Sequence, residues 1–280
     1  MINLLKDLIM MGLEEDIGIG DITTDSIIDK KKIVKAQFMA KEDFVVAGLF
    51  IVKLVFQVLD KKIKFVEKVA DGDRVKKGQI IAVVTGSAHS IIRGERLALN
   101  FLQRISGVAT ITSKFVEAVK GTNATILDTR KTTPLWRSIE KYGVLAGGGE
   151  NHRFGLFDAV LIKDNHIKFA GGIEKAIEKV KRSKVFTNQK FKFIEVEAKN
   201  LDEVQKAITA GVDRILLDNM DLKTMSQAVK LCKKYKIKTE ASGGVNLKTV
   251  RSIAKTGVDF ISVGAITHSV RAVDINMKIV

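Results

Sequence analysis

Proline is nearly missing from this chain, with one residue, Pro134, among 280. Average usage would supply roughly 14 in a chain of this length. The one that is kept follows Thr132 and Thr133, and it marks a point where the backbone needs a fixed φ. Cysteine is as scarce: Cys232 alone excludes an intramolecular disulfide and any cysteine-cluster metal site, and it fits a reduced, cytoplasmic setting. No apolar run approaches the roughly 18–20 residues that span a bilayer, so no membrane partner is expected. The opening residues, MINLLKDLIMMGLEED, are amphipathic, acidic at their end and without a small-residue cleavage site, so no signal peptide is expected there. His89, His152, His166 and His268 show no HExxH or other metal-ligand spacing, which argues against zinc.

Positive charge is in excess, with 47 Lys and Arg against 32 Asp and Glu, a net +15. Of the 47, 36 are lysines spread through nearly every segment, which reads as a solvated surface. There is no RNP-like aromatic motif, zinc finger or Arg-rich tail, so nucleic acid is not an expected partner. The 11 arginines are more telling, because their planar forks suit a carboxylate or a phosphate. Five of them (Arg96, Arg104, Arg130, Arg137 and Arg153) fall between positions 96 and 153. With 46% hydrophobic residues, the chain is large enough for one big domain or two smaller ones with a substantial core.

Residues 1–16 read as an amphipathic helix ended by the turn-rich DIGIGDITTD. The runs VKAQFMAKEDFVVAG, KIKFVEKVADGD and QIIAVVTG predict strands with tight turns at Asp71-Gly72 and Lys77-Gly78. The stretch VADGDRVKKGQIIAVVTG resembles a biotinyl- or lipoyl-type hammerhead, but no tip lysine follows in an MKM or DKA context, so it reads as a structural element. Helical spacing takes over from about Glu95 to Val119. The second half alternates apolar runs (TILDTR, AVLIKDN, FKFIEVEA, DRILLDN, KTEASGG and DFISVGA) with helical patterns over 173–182, 200–210, 221–235 and 246–256. Such alternation implies parallel strands in βα units. A closed or nearly closed α/β barrel is expected, with a doubly wound sheet as the alternative. Glu197, Asp218, Glu240 and Ser262 recur at nearly equal intervals and are expected at equivalent strand positions.

In either architecture the polar residues at strand C-termini share one face. That face would present Arg130, Lys131, Lys163, Asp164, Glu197 and Asp218, followed by two glycine-bearing turns, Ser242-Gly243-Gly244 and Val263-Gly264-Ala265. The turns suit a phosphate through their backbone N–H groups, though a plain strand-to-helix turn also favours glycine. Glu197 and Asp218 suit a Mg²⁺ held by one or two carboxylates plus phosphate oxygens, with salt-bridging to lysines as the alternative. Glu195 is expected to point away from the site. His152, after the GGG turn and beside Arg153, is the histidine singled out for chemistry, while His166 in KDNH is expected to order its loop. Met10, Met11 and Trp136 read as core or interface residues.

DTRKTTP, EKYGVLAGGGENHR, LIKDNHI, EVEAKNL, ILLDNM, EASGGV and GVDFISVGAITHS occur here in one order. Together with EDIGIGDITTD and GERLALNFLQRISGVAT, they make residues 14–275 resemble the quinolinate phosphoribosyltransferase family. The resemblance implies an N-terminal α/β sandwich over residues 1–110, to which 267–280 return, and an open seven-stranded α/β barrel over 111–266. It implies a homodimer, or a hexamer built from dimers, in which each site is shared between subunits. The implied reaction joins quinolinate to phosphoribosyl pyrophosphate with Mg²⁺, giving nicotinate mononucleotide, pyrophosphate and CO₂ in NAD biosynthesis. Residue by residue, Arg130, His152, Arg153 and Lys163 match the quinolinate pocket, and Arg96 matches an arginine contributed by the partner subunit. Lys131 and Lys163 match the groups that meet the pyrophosphate donor, and Glu197 and Asp218 those that meet Mg²⁺ and ribose. Ser242, Gly243, Gly244, Val263, Gly264 and Ala265 match the 5′-phosphate cradle. TTPLWR stands where the family more commonly reads TTPGLR, with Gly143 and Ala198 as further departures. A molybdenum-associated paralogue with another acceptor, and a non-catalytic phosphosugar sensor, are the alternative readings.

Overall fold

A computed structural model describes residues 2–183 and 193–280. It divides into two compact units, one of Met1–Ser113, Ser138–Gly148 and Val270–Val280, the other of Lys114–Arg137 and Gly149–Ser269. Against the expected division of 1–110 with 267–280 and 111–266, the boundaries move by three residues and Ser138–Gly148 joins the first unit. Its segment carries Tyr142, whose hydroxyl donates to Asp71 Oδ2 at 2.5 Å, and the buried Glu140, which accepts from Arg104 at 3.1 Å.

The first unit is built on a four-stranded antiparallel sheet. Its strands are β1 (Ile33–Ala40), β3 (Lys64–Glu67), β5 (Ile80–Ser87) and β12 (Ile275–Ile279), in the order β12-β1-β5-β3. A two-residue ribbon pairs β2 (Phe44–Val45) with β4 (Arg74–Val75). The expected turns at Gly72 and Gly78 flank β4. Besides Arg137–Ala146, two helices of this unit were not anticipated by the sequence pattern. Ile22–Ile27 forms because Asp21 accepts the N–H of Thr24 at 3.0 Å, capping its first turn. Leu49–Leu59 (LFIVKLVFQVL) has only Lys53 and Gln57 as polar residues, so its sequence shows little contrast, although Ile51, Val52, Val55 and Phe56 are buried and Phe50, Lys53 and Gln57 exposed. Phe56 meets Phe38 of β1 edge-on at 6.1 Å, joining helix to sheet. The expected helix near Glu95–Val119 starts earlier, at Ala88, and runs 32 residues.

The second unit carries six parallel strands: β6 (Thr125–Leu127), β7 (Val160–Ile162), β8 (Ile194–Ala198), β9 (Arg214–Asp218), β10 (Lys238–Ser242) and β11 (Phe260–Ser262). Their order is β6-β11-β10-β9-β8-β7, and a single parallel bridge from Leu127 to Glu150 adds a seventh position outside β6. This is an open α/β barrel. Of the apolar run FKFIEVEA, Phe191 and Lys192 lie outside the described residues. Asn200 and Asp221 cap the helices Leu201–Ala210 and Leu222–Lys234 by accepting N–H groups of their first turns. Among the described residues no helix is long and apolar enough to cross a membrane.

The register corrects the expected equivalence of four strand positions. Glu197 and Glu240 both pair with Leu216, whereas Asp218 lies two residues further on and pairs with Ser242. The offset is even, so all of these side chains still share one face of the sheet.

Candidate functional site

A cavity of about 670 Å³ opens at the C-terminal ends of these strands, well within the range of about 300–1,000 Å³ usual for small-molecule sites. One side is cationic, with Arg130, Lys131, Arg153 and Lys163. Arg153 is buried, and both that burial and the neighbouring charge of Arg130 work against its own charge. Glu195 and Asp158 offset that repulsion in part, and two neighbouring guanidinium groups at a cavity wall favour an anion between them.

The loop that carries Arg130 and Lys131 is braced from three directions. Arg137 donates to Thr132 Oγ1 at 3.0 Å, to the Phe154 carbonyl at 3.1 Å and to the Arg130 carbonyl at 3.4 Å. Thr267 Oγ1 donates to the Lys131 carbonyl at 2.7 Å. The lone proline sets the bend: the Trp136 N–H closes on the Thr133 carbonyl at 3.1 Å, with Pro134 second in the turn and Leu135 third at φ +65°. That is type II geometry, where proline is favoured second and glycine third. Arg137 is therefore a brace and does not line the cavity.

Asp218 at the end of β9 lines the cavity, whereas Glu197 on β8 is not among the lining residues and meets it through Lys163. Lys163 Nζ lies 3.5 Å from Glu197 Oε2. Burial raises the Glu197 pKa; Lys163 opposes that shift, and Asp218 adds to it. His166 accepts the Lys163 N–H at 3.0 Å and orders this loop, as expected.

The two glycine turns fill the remaining wall. Gly243 has φ +96°, a strained conformation for any side chain, and a Cβ there would fall 2.1 Å from Asn219 Oδ1, so any other residue would also displace Asn219. At Gly264 a Cβ would press on His268 at 3.0 Å and on the Lys131 stem at 3.2 Å. Ser242, Gly243, Gly244, Gly264 and Ala265 all line the cavity, while Val263 is buried behind it. Arg96 is exposed on the Ala88–Val119 helix of the first unit and is not among the lining residues.

Beneath the floor the structure overturns the expectation for Glu195. Residues two apart on a strand share a face, so Glu195 points inward with Glu197. It is fully buried, and its Oε2 lies 3.0 Å from His152 Nε2. Glu240, also fully buried, reaches the same nitrogen at 3.2 Å. Arg214 donates to Glu240 at 2.9 Å and is sandwiched between the rings of Phe193 and Phe260; Ser262 Oγ donates to Glu240 as well. Burial and the neighbouring Glu240 push the Glu195 carboxyl up to about 7. Burial pulls the His152 pKa down, but hydrogen bonds and charge from the two carboxylates outweigh it and raise it. A second ring proton would have to sit on Nδ1, where the Arg153 N–H already points from 2.6 Å, so the ring keeps a single proton on Nε2. His152 thus lines the cavity with both nitrogens engaged inside the protein.

Asn219, His268 and this floor cluster were missed by sequence reasoning. A strict period-two reading of FIEVEA would have found Glu195; nothing in THS distinguished His268.

Two family models divide the chain between them, the quinolinate phosphoribosyl transferase N-terminal domain over residues 21–106 and the C-terminal domain over 108–278. The chain belongs to the quinolinate phosphoribosyl transferase family. It is 43% identical to quinolinate phosphoribosyltransferase [decarboxylating] 1b of Nicotiana tabacum over 98% of this chain and 82% of that one. It is 42% identical to a probable nicotinate-nucleotide pyrophosphorylase [carboxylating] of Bacillus subtilis, covering 98% of this chain and 93% of that one. The crystal structure of NadC from Streptococcus pyogenes superposes with a TM-score of 0.93 at 38% identity, covering 98% of this chain and 95% of that one. In these family terms the glycine turns, the four cations and Asp218 line a single cavity of the C-terminal domain.

Proposed function

We propose that this family member transfers the phosphoribosyl group of phosphoribosyl pyrophosphate to quinolinate, releasing pyrophosphate and CO₂ and leaving nicotinate mononucleotide for NAD synthesis. The observation that carries the reading is the cavity's lining: Arg130, Lys131, Arg153 and Lys163 share it with Asp218 and two glycine turns, and Lys163 links it to Glu197 at 3.5 Å. A dicarboxylate acceptor fits Arg130 and Arg153, whose mutual repulsion it would relieve. The 5′-phosphate fits the Ser242-Gly243-Gly244 and Gly264-Ala265 turns through their N–H groups.

Glu197 and Asp218 fit a magnesium ion, because they are hard oxygen donors and their charges already oppose one another. Bound there with phosphate oxygens, Mg²⁺ would supply charge neutralisation for the departing pyrophosphate. Lys131 and Lys163 add positive charge at the same end of the cavity. As the leaving group departs, the pyridine nitrogen captures ribose C1; the resulting positive nitrogen stabilises the electron pair left on the adjacent ring carbon when its carboxylate leaves as CO₂, and that carbon then takes up a proton. Positioning and electrostatics do the work, and no serine or cysteine nucleophile is required. Cys232 agrees: it is buried and its thiol is pushed up to about 12.

We further read the protein as a cytoplasmic homodimer in which Arg96 of the partner subunit completes each cavity. The deciding measurement is pyrophosphate release from phosphoribosyl pyrophosphate with Mg²⁺, with quinolinate, nicotinate or no acceptor. Release with quinolinate only, matched by CO₂ and lost on chelation, supports the carboxylating transferase. Release with another acceptor would make the protein a paralogue whose TTPLWR loop has changed its choice. Binding without release would make it a sensor.

A further inference from the structure

We propose that Glu195 and Glu240 are positioning residues for the acceptor: together they clamp the His152 imidazole under the cavity, and His152 in turn fixes the main chain of Arg153. The proposal rests on the preceding functional reading only where Arg153 is assigned to the acceptor. The clamp itself is geometry.

The two carboxylates come from strands that are not neighbours, β8 and β10, and converge on one nitrogen, His152 Nε2, at 3.0 and 3.2 Å. Across the ring, Nδ1 accepts the Arg153 N–H at 2.6 Å. The His152 N–H donates to Asp128 Oδ1, itself buried, at 2.9 Å. The step from His152 to Arg153 is therefore held at three points, and the Arg153 guanidinium is steadied by the Ala159 carbonyl at 3.3 Å. Acceptors on one side and a main-chain donor on the other permit one tautomer, with the proton on Nε2. Neither nitrogen remains for a substrate carboxylate. His152 acts as a wedge that aims Arg153.

His152, Glu195 and Glu240 also have ligand atoms close enough together to suggest a metal. Arg214, 2.9 Å from Glu240 and stacked between two rings, already supplies the positive charge such an ion would bring. The Nε2 contacts are at hydrogen-bond length, and a metal would have to displace the proton that makes them. Two buried carboxylates are a costly way to hold one imidazole, and Glu195 Oε1 is buried without a hydrogen-bond partner. An arrangement that expensive is expected where the orientation of the held group matters.

The test combines ¹⁵N-histidine NMR on the whole protein with steady-state kinetics. Four histidines give few enough ring signals for a His152→Asn spectrum to identify the one that matters. The proposal expects His152 protonated at Nε2 and bare at Nδ1, with neither nitrogen shifting by a direct hydrogen bond when quinolinate binds. Glu195→Ala should raise the quinolinate KM by about 10–100-fold while the phosphoribosyl pyrophosphate KM stays within about threefold. Glu195→Gln keeps an acceptor oxygen and should recover most of that loss. Should the alanine variant fail to fold, the tautomer in wild type, Glu195→Gln and Glu240→Gln still decides. A proton on Nδ1, a quinolinate-dependent shift of a ring nitrogen, or equal weakening of both substrates would overturn the proposal. Failure of the functional reading looks different: wild-type protein would not turn over quinolinate at all, whatever the tautomer.

Discussion

Leu135 holds a backbone conformation that suits a different residue. At φ +65° its Cβ crowds the carbonyl that follows, a strain of about 1–2 kcal/mol for a side chain with a β-carbon. The side chain is 65% exposed, so little burial offsets that cost. The commoner family sequence TTPGLR places glycine there, the residue a type II turn prefers at its third position. Leu135→Gly should therefore raise the thermal midpoint by about 1–3 °C, the released strain exceeding the glycine's extra freedom when unfolded. Leu135→Val should lower it, since branching at Cβ sharpens the clash. A lower midpoint for the glycine variant would mean that the leucine makes a contact worth more than the strain. At this scale the sequence was legible where chemistry and spacing coincide, as at Arg130, Lys131, Lys163 and Asp218. It was opaque at His152, because which nitrogen meets which partner depends on Glu195 and Glu240 arriving from separate strands.

Elements were easier to read than their alignment. The βα units announced themselves because each helix keeps one apolar stripe and each strand a short apolar run, and the helix Ile173–Arg182 was expected at those bounds. The helix Leu49–Leu59 hid for the opposite reason: only Lys53 and Gln57 break its apolar run, so the face it exposes carries little polar contrast to set a period. Register is fixed by contacts between strands, which no single segment records. One such contact is Asp259, just before β11, which accepts the Thr239 N–H at 2.9 Å, the Thr239 hydroxyl at 3.0 Å and Lys238 Nζ at 2.7 Å at the start of β10. Burial alone would raise its pKa, but Lys238 and Thr239 outweigh it and hold the carboxyl below its ordinary 3.8. A depressed carboxyl stabilises the fold fully above its unfolded value, and that contribution fades as pH falls through the lower folded one. Asp259→Asn should thus cost about 1–3 kcal/mol at pH 7, and the gap to wild type should close as pH drops below about 4. Urea melts at pH 7 and pH 3 measure both ends. A gap of equal size at each pH would mean that shape, not charge, fixes this join.

At the scale of the whole molecule, the charge balance, the scarcity of cysteine and the order of motifs were all legible, yet one expected site residue stands apart. Arg96 is exposed on the first unit, while Arg130, Lys131, Arg153 and Lys163 line the cavity of the second. If Arg96 of the partner subunit supplies the missing cation, Arg96→Ala and Lys131→Ala should each lose activity on the order of 100-fold as pure proteins. Mixed after subunit exchange, they should regain it. Half of the dimers then carry one subunit of each kind, and one of the two cavities in each mixed dimer holds both wild-type residues. Recovery should therefore approach roughly a quarter of the wild-type rate per site, because a two-fold axis makes the cavities reciprocal. A hexamer assembled from dimers gives the same fraction. Exchange is verified independently by mass-tagged subunits, so that silence has one meaning: with exchange complete and no recovery, each cavity is built from a single chain and Arg96 serves something else.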